Sequence, residues 1–432
     1  MAGQASLVMI SVFAVLALLG LPLAVSIVAA ALAAVTLVAP FDMALFTSAQ
    51  KMLASLDTFS LLAVPFFILS GVMMNSGGIA VRLVNFAKLI SGRIPGSLAQ
   101  TNIAGNMLFG CISGSAIAAS TSIGGVMVPM QAKEGYDRDL AAAVNIASAP
   151  TGMLIPPTTA FIIYSLVSGG TSIAALFLAG GVAGLIWGAG LIIMTTSIAW
   201  RRGYPTSGWI GFRAAAVVTM EALPSLFLIV LVIGGIMSGI FTAVEASGIA
   251  VLYTMLLTFV IHRTKPLRVF PQFLLETAQM TGTIMMLLAA SAALSFAMAF
   301  TGIPAAVTSL ILGISDSPIV IMLVINLLLL VIGCFMDIGP AILIFTPILL
   351  PIFEKLGGDP VHFGVILVFN LAIGTITPPV GTGLFVGASV AQVKVERCIR
   401  ALAPFYVLLF AMLLVVTFFP DLFLALPRHF GL

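Results

Sequence analysis

Charged side chains are scarce in this chain, and their scarcity excludes a soluble protein. Its 432 residues include 17 basic and 14 acidic ones, so only 7% are charged, whereas 61% are hydrophobic. Soluble globular domains carry about 25% charged residues. Residues 1–41 and 140–200 contain no Asp, Glu, Lys or Arg, and one membrane helix needs about 20 apolar residues. We therefore predict an integral membrane protein whose partner is the lipid bilayer, and the net charge of +3 requires no nucleic acid.

Cysteine and histidine are equally rare, with three of each. Cys111, Cys334 and Cys398 form no CxxC pair, and the histidines do not stand at a metal-ligand spacing. We expect buried, unpaired cysteines, no transition metal and no cofactor. The sequence has no Walker loop, and Gly387-Ala388-Ser389-Val390, which fits the G-x-S pattern of intramembrane serine proteases, has no placed histidine partner. These absences argue against an enzyme.

Apolar runs long enough for helices recur along the chain, whereas the alternating polarity of porin-type strands does not. The predicted membrane helices lie near 6–20, 23–39, 59–75, 140–168, 171–199, 214–240, 246–261, 281–300, 361–390 and 402–424. Two further apolar regions, about 96–130 and 317–353, are interrupted by Gly, Ser and Pro, and we predict that they are re-entrant hairpins. The stretches 79–93 and 303–313 are amphipathic, so we expect them in the membrane interface.

The distribution of basic residues predicts an orientation. If the N-terminus is outside and both hairpins return to their own side, fourteen of the 17 Lys and Arg residues fall on one side. Only Lys51, Lys355 and Arg428 fall on the other. Because cytoplasmic loops carry the excess of Lys and Arg, we expect the N-terminus to face away from the cytoplasm.

The two halves of the chain are related by a hidden repeat. Pro-Pro dipeptides occur only at Pro156-Pro157 and Pro378-Pro379, which are 222 residues apart. At offsets of 222 to 224, Gly78-Ile79 recurs as Gly302-Ile303, Asn102 as Asn326, Gly110-Cys111 as Gly333-Cys334, Pro129 as Pro351, and Asp137 as Asp359. In the predicted topology the spans 59–75 and 281–300 cross the membrane in opposite directions, so the repeat is inverted. Inverted repeats with broken helices are typical of secondary transporters.

The interruptions carry the groups that favour ion binding. The first hairpin is rich in Gly and Ser over 110–125, and the first broken span has Asn, Pro and Thr over 145–159; the second repeat has similar runs at 333–347 and 370–383. Proline removes a backbone donor and frees an upstream carbonyl, and free backbone groups in lipid must find partners. Hydroxyl and carbonyl oxygens suit a hard cation such as sodium. Alternatively, the small residues only permit close helix packing.

Asp337 is the one acidic residue that this topology places in a hairpin turn within the membrane. An ionisable residue at that depth indicates function, so Asp337 could bind a substrate group, a proton or a cation; alternatively, it caps the hairpin. No Lys or Arg is predicted at comparable depth. An anionic substrate would then rely on helix N-termini, sodium ions and hydroxyls.

At these motifs the sequence resembles the large membrane subunit of tripartite ATP-independent periplasmic (TRAP) transporters. The matching stretches are Ile112–Ala116, Ile155–Thr158, Phe161–Tyr164, Gly239–Ala246, Met336-Asp337, Asp359–Gly364 and Thr377–Gly381. The likeness covers essentially the whole chain. It implies an all-α integral membrane protein of the ion-transporter superfamily, with two re-entrant hairpins and two broken helices, that works as a sodium-driven elevator.

The resemblance also implies partners and a location. Family members take up organic acids, such as dicarboxylates and sugar acids, from a periplasmic solute-binding protein, and they work with a small four-helix membrane subunit. The chain is accordingly expected in the bacterial inner membrane, with a periplasmic N-terminus. Sodium is the expected coupling ion.

The family's sodium sites lie between each hairpin and its adjoining broken span. By position, the resemblance implies as sodium ligands Ser113, Ser115, Asn145, Thr151 and Gly152 in the first repeat, and Gly333, Asp337, Gly374, Thr377 and Thr382 in the second. For the substrate it favours Ser115, Thr158, Asp337 and Gly381.

The sequence departs from the family pattern in two places. After the first hairpin turn, where an acidic residue is common, this chain has Ala119-Ser120-Thr121, which affects the ligand set expected there. The usual Thr-Pro-Thr-Glu run reads Thr242-Ala243-Val244-Glu245, in what we expect to be an outside loop.

We predict four segments. Residues 1–58 form scaffold spans and an interfacial helix, 59–200 the first repeat, 201–280 connecting scaffold spans and 281–432 the second repeat. Two alternative functions remain at this stage: a stand-alone sodium–anion symporter that needs no binding protein, and a passive channel.

Overall fold

A computed structural model describes residues 2–76, 79–206, 208, 211–303, 313, 315 and 317–432. Within these residues the chain forms nineteen α-helices and no strand. The helices are α1 Ala2–Leu18, α2 Leu23–Val35, α3 Phe41–Leu56, α4 Ala63–Ser76, α5 Ile79–Ser91, α6 Ser97–Ser113, α7 Ala116–Lys133, α8 Arg138–Ser148, α9 Thr159–Val167, α10 Ile173–Arg202, α11 Phe212–Met237, α12 Ala243–Met255, α13 Phe270–Thr301, α14 Pro318–Phe335, α15 Ile338–Lys355, α16 Pro360–Gly374, α17 Thr382–Ala391, α18 Val395–Phe418 and α19 Pro420–His429.

Seven helices in the described part of the chain are long and apolar enough to cross a membrane. An eighth span is formed if α3 and α4, which bend by 63° at their junction, are counted together. The predicted multi-pass helical protein is therefore confirmed. The predicted amphipathic stretch 303–313 lies outside the described residues except at its two ends, and Gly78 of the repeat lies outside them as well.

Two predicted spans differ in extent from the observed helices. Helix α13 begins at Phe270, eleven residues before the predicted start at 281, after a short 3₁₀ turn at Leu267–Val269. The predicted span 402–424 is two helices, because the chain breaks at Phe419 between α18 and α19. Pro420 at the start of α19 has no N–H to continue α18, which accounts for the break.

Both predicted hairpins are present, each as two helices joined by a two-residue turn. In the first hairpin Gly114, whose φ of 62° is left-handed, caps the end of α6, and Ser115 caps α7 by accepting a hydrogen bond from Ala118 N at 3.3 Å. Glycine takes a left-handed φ without steric penalty. In the second hairpin, α14 and α15 are joined through Met336 and Asp337, which are both extended.

Both predicted broken spans are also present. The first consists of α8, a 3₁₀ turn at Ala149–Met153, an irregular segment containing Pro156-Pro157, and α9. The second consists of α16, an irregular segment containing Pro378-Pro379, and α17. Both Pro-Pro peptide bonds are cis. Helix α8 ends just before Pro150, and α16 ends four residues before Pro378; each proline supplies no backbone donor to the preceding turn.

The correspondence between the two halves of the chain is visible in how their elements are capped and packed. Asp137 caps α8 by accepting a hydrogen bond from Asp139 N, and Asp359 caps α16 by accepting hydrogen bonds from Val361 N and His362 N. The second hairpin helix of each repeat packs against the second half of the other repeat's broken span, so that α7 contacts α17 and α15 contacts α9. At the first of these contacts a Cβ on Gly387 of α17 would lie 3.2 Å from the Ser120 Oγ of α7.

Two groups of helices pack mainly within themselves. One group contains α1, α2, α3, α4, α12 and α13. The other contains both hairpins, both broken spans, α10 and α18. The groups also touch each other, for example where α13 meets α15 and α4 meets α6. This grouping is compatible with a scaffold and a transport domain, whose relative movement stays a prediction.

Ion pairs bring several basic loops to one end of the molecule. Arg202 at the end of α10 lies 3.3 Å from Asp137, and Arg397 in α18 lies 3.9 Å from Asp139. The loops that follow α7, α10 and α17 therefore meet, and we call this region the basic end. These are three of the loops that the sequence placed on the positively charged side.

Candidate functional site

The first hairpin and the first broken span touch backbone to backbone. A Cβ built on Gly110 in α6 would lie 2.5 Å from Gly152 Cα, and one built on Gly152 would lie 2.4 Å from Gly110 Cα. Real Cβ atoms do not approach other atoms this closely, so only glycine fits at both positions. Gly152, a predicted sodium ligand, is thereby fixed against the last turn of α6.

The second repeat contains the same contact. A Cβ on Gly374, at the end of α16, would lie 2.4 Å from Gly333 Cα in α14. In addition, Gly381 N donates a hydrogen bond to Cys334 O at 3.1 Å. Gly110 and Gly333 are 223 residues apart, and Gly152 and Gly374 are 222 apart, so the two contacts correspond within the repeat. We call them the paired glycine contacts.

The tip of the first hairpin lies beside the break in the first broken span. A Cβ on Gly114 would be 3.8 Å from Thr158 Cα. Ser113 and Ser115 are half-buried, and Ser113 Oγ accepts a hydrogen bond from Ser115 N at 3.4 Å. Thr158 is buried, and its Oγ1 accepts from Ala160 N at 3.1 Å, which caps α9. The predicted residues Ser113, Ser115 and Thr158 are therefore brought into one region.

This region combines both kinds of helix end. The C-terminal turn of α6 directs its last carbonyl groups toward the tip, while α7 and α9 begin there with N–H groups that have no intrahelical partner. Carbonyl oxygens favour a cation, and the N-termini favour an anion. One tip can accordingly serve both types of ligand.

The tip of the second hairpin carries an exposed carboxylate. Asp337 stands at the N-cap position of α15, but its side chain makes no capping hydrogen bond. The alternative interpretation of Asp337 as a hairpin cap therefore lacks its hydrogen bond in this structure. Among the described residues, the Asp337 side chain therefore does not cap α15.

The second break holds the other predicted residues of this repeat. Thr377 is half-buried, and its hydroxyl donates to Ile373 O at 2.8 Å. Gly381 has a φ of 22°, and a Cβ there would lie 2.5 Å from Thr377 O. Thr382 is half-buried at the first position of α17. Tyr406 of α18 donates its hydroxyl to Ile376 O at 2.6 Å and ties the break to the neighbouring span.

Asn145 and Thr151 lie deeper than the tip residues and are fully buried. The Asn145 amide nitrogen donates to Ser120 O and Oγ, both at 3.0 Å, and its Oδ1 accepts from Asn106 Nδ2 at 3.1 Å. Thr151 Oγ1 donates to Ser148 O at 2.7 Å. The Asn145 amide thus holds the broken span against the hairpin, whereas the Thr151 hydroxyl is engaged within the broken span itself.

Sequence reasoning missed the extent of this buried amide network. Asn106 Nδ2 also donates to Ser148 Oγ at 2.7 Å. In the second repeat, Asn370 donates to Asn326 Oδ1 at 2.8 Å, and Asn326 donates to Thr417 Oγ1 at 2.8 Å. Buried amides are costly unless they are hydrogen-bonded. The bonds of Asn106 and Asn370 fix each hairpin to its broken span, and the bond to Thr417 joins the second hairpin to α18. The recurrence of Asn102 as Asn326 was the signal in the sequence.

The Thr242–Glu245 run starts a helix despite its departure from the family pattern. Thr242 N donates to Glu245 Oε2 at 2.8 Å, and Glu245 N donates to Thr242 Oγ1 at 3.2 Å. These reciprocal bonds form a capping box for α12. The intervening Ala243 and Val244 leave it intact.

Comparisons with known proteins agree with this architecture. The family model described as tripartite ATP-independent periplasmic transporter, DctM component, matches residues 10–422. A crystal structure of the Alcanivorax borkumensis YdaH transporter is similar with a TM-score of 0.65, over 86% of this chain and 87% of that chain. The sequences are only 14% identical, so this likeness shows the fold alone.

Two related proteins match this chain over nearly their whole length and its own. The uncharacterized protein YgiK of Salmonella typhimurium is 46% identical over 425 residues, covering 98% of each chain. The sialic acid TRAP transporter large permease protein SiaM of Vibrio cholerae is 39% identical over 422 residues, covering 97% of this chain and 98% of SiaM. The chain therefore belongs to the tripartite ATP-independent periplasmic transporter family, as its DctM component, and it is a transporter permease rather than an enzyme.

Proposed function

We propose that this permease carries out sodium-coupled uptake of an organic acid delivered by a periplasmic binding protein. The observation that supports this most directly is the pair of glycine contacts, Gly110 with Gly152 and Gly333 with Gly374. Each contact places a helix end of a hairpin against a break in a membrane helix. Secondary transporters bind their coupling ions at such discontinuous helices.

Sodium coupling is proposed from the chemistry of the breaks. Unwound carbonyls and the C-terminal ends of half-helices coordinate sodium in transporters of this kind. In the first repeat, Ser113, Ser115 and the backbone near Thr151-Gly152 supply such oxygens. In the second, the backbone around Gly374 and the hydroxyls of Thr377 and Thr382 do so. Asn145 supports the first site through its bonds to the hairpin.

The substrate anion is proposed to bind between the two tips. Neither hairpin turn nor either Pro-Pro break contains Lys or Arg, so the N-termini of α7, α9, α15 and α17 supply the positive potential. Ser115, Thr158 and Gly381 offer hydroxyl and backbone donors. Asp337 stands at the tip of the second hairpin, and we propose that its carboxyl group acts together with a bound cation.

An elevator mechanism is proposed from the packing. The hairpins, the broken spans, α10 and α18 pack mainly with one another, and the remaining group includes α4 and the long helix α13. Movement of the group that contains the hairpins against the group that contains α4 and α13 would carry the paired sites across the membrane. The basic end would face the cytoplasm of the inner membrane, with the N-terminus on the periplasmic side.

The partners follow from family membership. A tripartite transporter consists of this permease, a small membrane subunit and a periplasmic binding protein. SiaM is named for sialic acid, a carboxylated sugar, so we propose a carboxylate or a sugar acid as the substrate class. The binding protein would select the individual acid.

The test is uptake in proteoliposomes that contain the permease and the small subunit, with the loaded binding protein outside. An inward sodium gradient should drive accumulation, and an equal potassium gradient at the same membrane potential should not. Uptake that ignores sodium would contradict the coupling. Transport by the permease alone would favour a stand-alone symporter, and uncoupled flux a passive channel.

A further inference from the structure

A cavity of about 520 Å³ opens at the basic end, away from the hairpin tips. It lies where α10 and α18 meet the start of α8. Its polar lining is basic, with Arg201, Arg202 and Arg400 against one acidic residue, Asp137. The rest is largely apolar and includes Leu140 and Ile198.

The cavity is a wedge between two membrane helices. A Cβ on Gly190 of α10 would collide with the Met412 side chain of α18, so the helices are in close contact there. Arg201 lies eleven residues further along α10, a rise of about 16 Å. Between that contact and their basic ends the two helices separate enough to leave the cavity. Its mouth is therefore at the end of the spans, where lipid headgroups lie.

The positive charge in the cavity is only partly neutralised. Arg202 Nη1 lies 3.3 Å from Asp137 Oδ2. Within the described part of the chain, Arg201 and Arg400 make no ion pair, and both are exposed. Three arginines against one aspartate leave a charge of +2. Arginine guanidinium groups match phosphate oxygens through paired N–H bonds.

We propose that this cavity binds the phosphate headgroup of an anionic phospholipid. Arg201 and Arg400 would hold the phosphate, Asp137 would orient Arg202 beside it, and the first acyl carbons would lie against Leu140 and Ile198. Basic pockets between membrane helices on the cytoplasmic side bind anionic headgroups. A free phosphate ion would use the arginines but not the apolar walls, so the lining favours lipid.

The test measures lipid binding to the full-length permease with its small subunit, in detergent, by native mass spectrometry. Phosphatidylglycerol is the probe, and phosphatidylcholine is the neutral reference. Arg201→Gln with Arg400→Gln should weaken phosphatidylglycerol binding roughly tenfold or more, since each arginine near a headgroup adds to the attraction. The matched control is Arg213→Gln with Arg268→Gln, which removes two exposed arginines outside the cavity and should leave binding unchanged.

Three results would overturn the proposal. Equal losses in both double variants would show general surface attraction, and no loss in either would show that the cavity is not the site. If inorganic phosphate displaced phosphatidylglycerol at millimolar concentration, the ligand would be a soluble phosphate. The single variant Arg400→Gln, which should give an intermediate loss, provides a second readout if the double variant assembles poorly.

Discussion

Replacing Gly152 by alanine adds a single methyl group at the contact between the first hairpin and its broken span. That Cβ would lie 2.4 Å from Gly110 Cα, whereas ordinary contacts begin at 3.4 Å. Because the obstructing atoms are backbone on both sides, no side chain can turn away. The two segments must separate by the difference, 1.0 Å. The equivalent change, Gly374→Ala, meets Gly333 at the same 2.4 Å.

The energetic cost follows from that displacement. Overpacking of a close-packed interior typically costs about 1–3 kcal/mol, and alanine returns about 0.5–1 kcal/mol where a glycine was helical. We therefore expect Gly152→Ala and Gly374→Ala each to lower the free energy of unfolding by at most about 2.5 kcal/mol. A shift of about 1 Å also exceeds the roughly 0.5 Å within which a binding site must be held, so sodium-driven uptake should fall far more than stability does.

The assay compares thermal unfolding in nanodiscs with uptake in proteoliposomes. Gly125→Ala is the matched control, because Gly125 is an exposed helical glycine of α7 and a Cβ added there would meet nothing within 4 Å. That variant should be as stable as the parent or slightly more so, with normal uptake. If Gly152→Ala behaved like Gly125→Ala, the backbone contact would not be what holds the site together.

Three further predictions follow from other parts of the molecule. Asp337→Asn should abolish uptake and leave assembly with the small subunit intact. The control is Asp42→Asn, which changes an exposed acid in the first turn of α3 and should transport normally. Full activity of Asp337→Asn would reduce Asp337 to a structural role. Thr242→Ala removes one half of a capping box and should lower the free energy of unfolding by about 1 kcal/mol, with uptake unchanged; a stability equal to the parent's would contradict the cap. Burial, followed by the charge of Arg82, lowers the pKa of His262, which lies just beyond a membrane span, and Glu221 opposes this. As the pH falls through the ordinary imidazole range, the unfolded chain takes up a proton at His262 before the folded protein does, so the free energy of unfolding should decrease. His262→Gln should reduce that decrease. A titration of His262 in the folded protein at or above the ordinary imidazole pKa would contradict the shift.

Much of the fold is predictable because the residues that end its helices and those that cap them can be recognised in the sequence. Pro156-Pro157 and Pro378-Pro379 cannot continue a helix, and Asp137 and Asp359 precede helices that they then cap. The start of α13 is harder to predict, because Gln272 and Glu276 give its first turns a more polar character. Hydropathy marks the apolar part of a helix and not its full length.

The site is harder to predict from the sequence than the fold, because its defining contacts join segments that are far apart in the chain. Glycines are abundant in this chain, with 41 in total, and nothing in the sequence says that Gly110 meets Gly152. Likewise, Asn145 has the chemistry of a ligand, but its amide is engaged by Ser120 and Asn106. Residue type indicates which groups could bind an ion, and only the packing shows which oxygens remain available.

Equilibrium binding of radioactive sodium to the purified permease in nanodiscs tests the central claim most directly, since it needs neither substrate nor partners. If the paired glycine contacts build two sodium sites, Gly152→Ala and Gly374→Ala should each remove part of the bound sodium. The double variant should then bind almost none, and Gly125→Ala should bind as the parent does. Sodium binding that persists unchanged in the double variant would contradict the account.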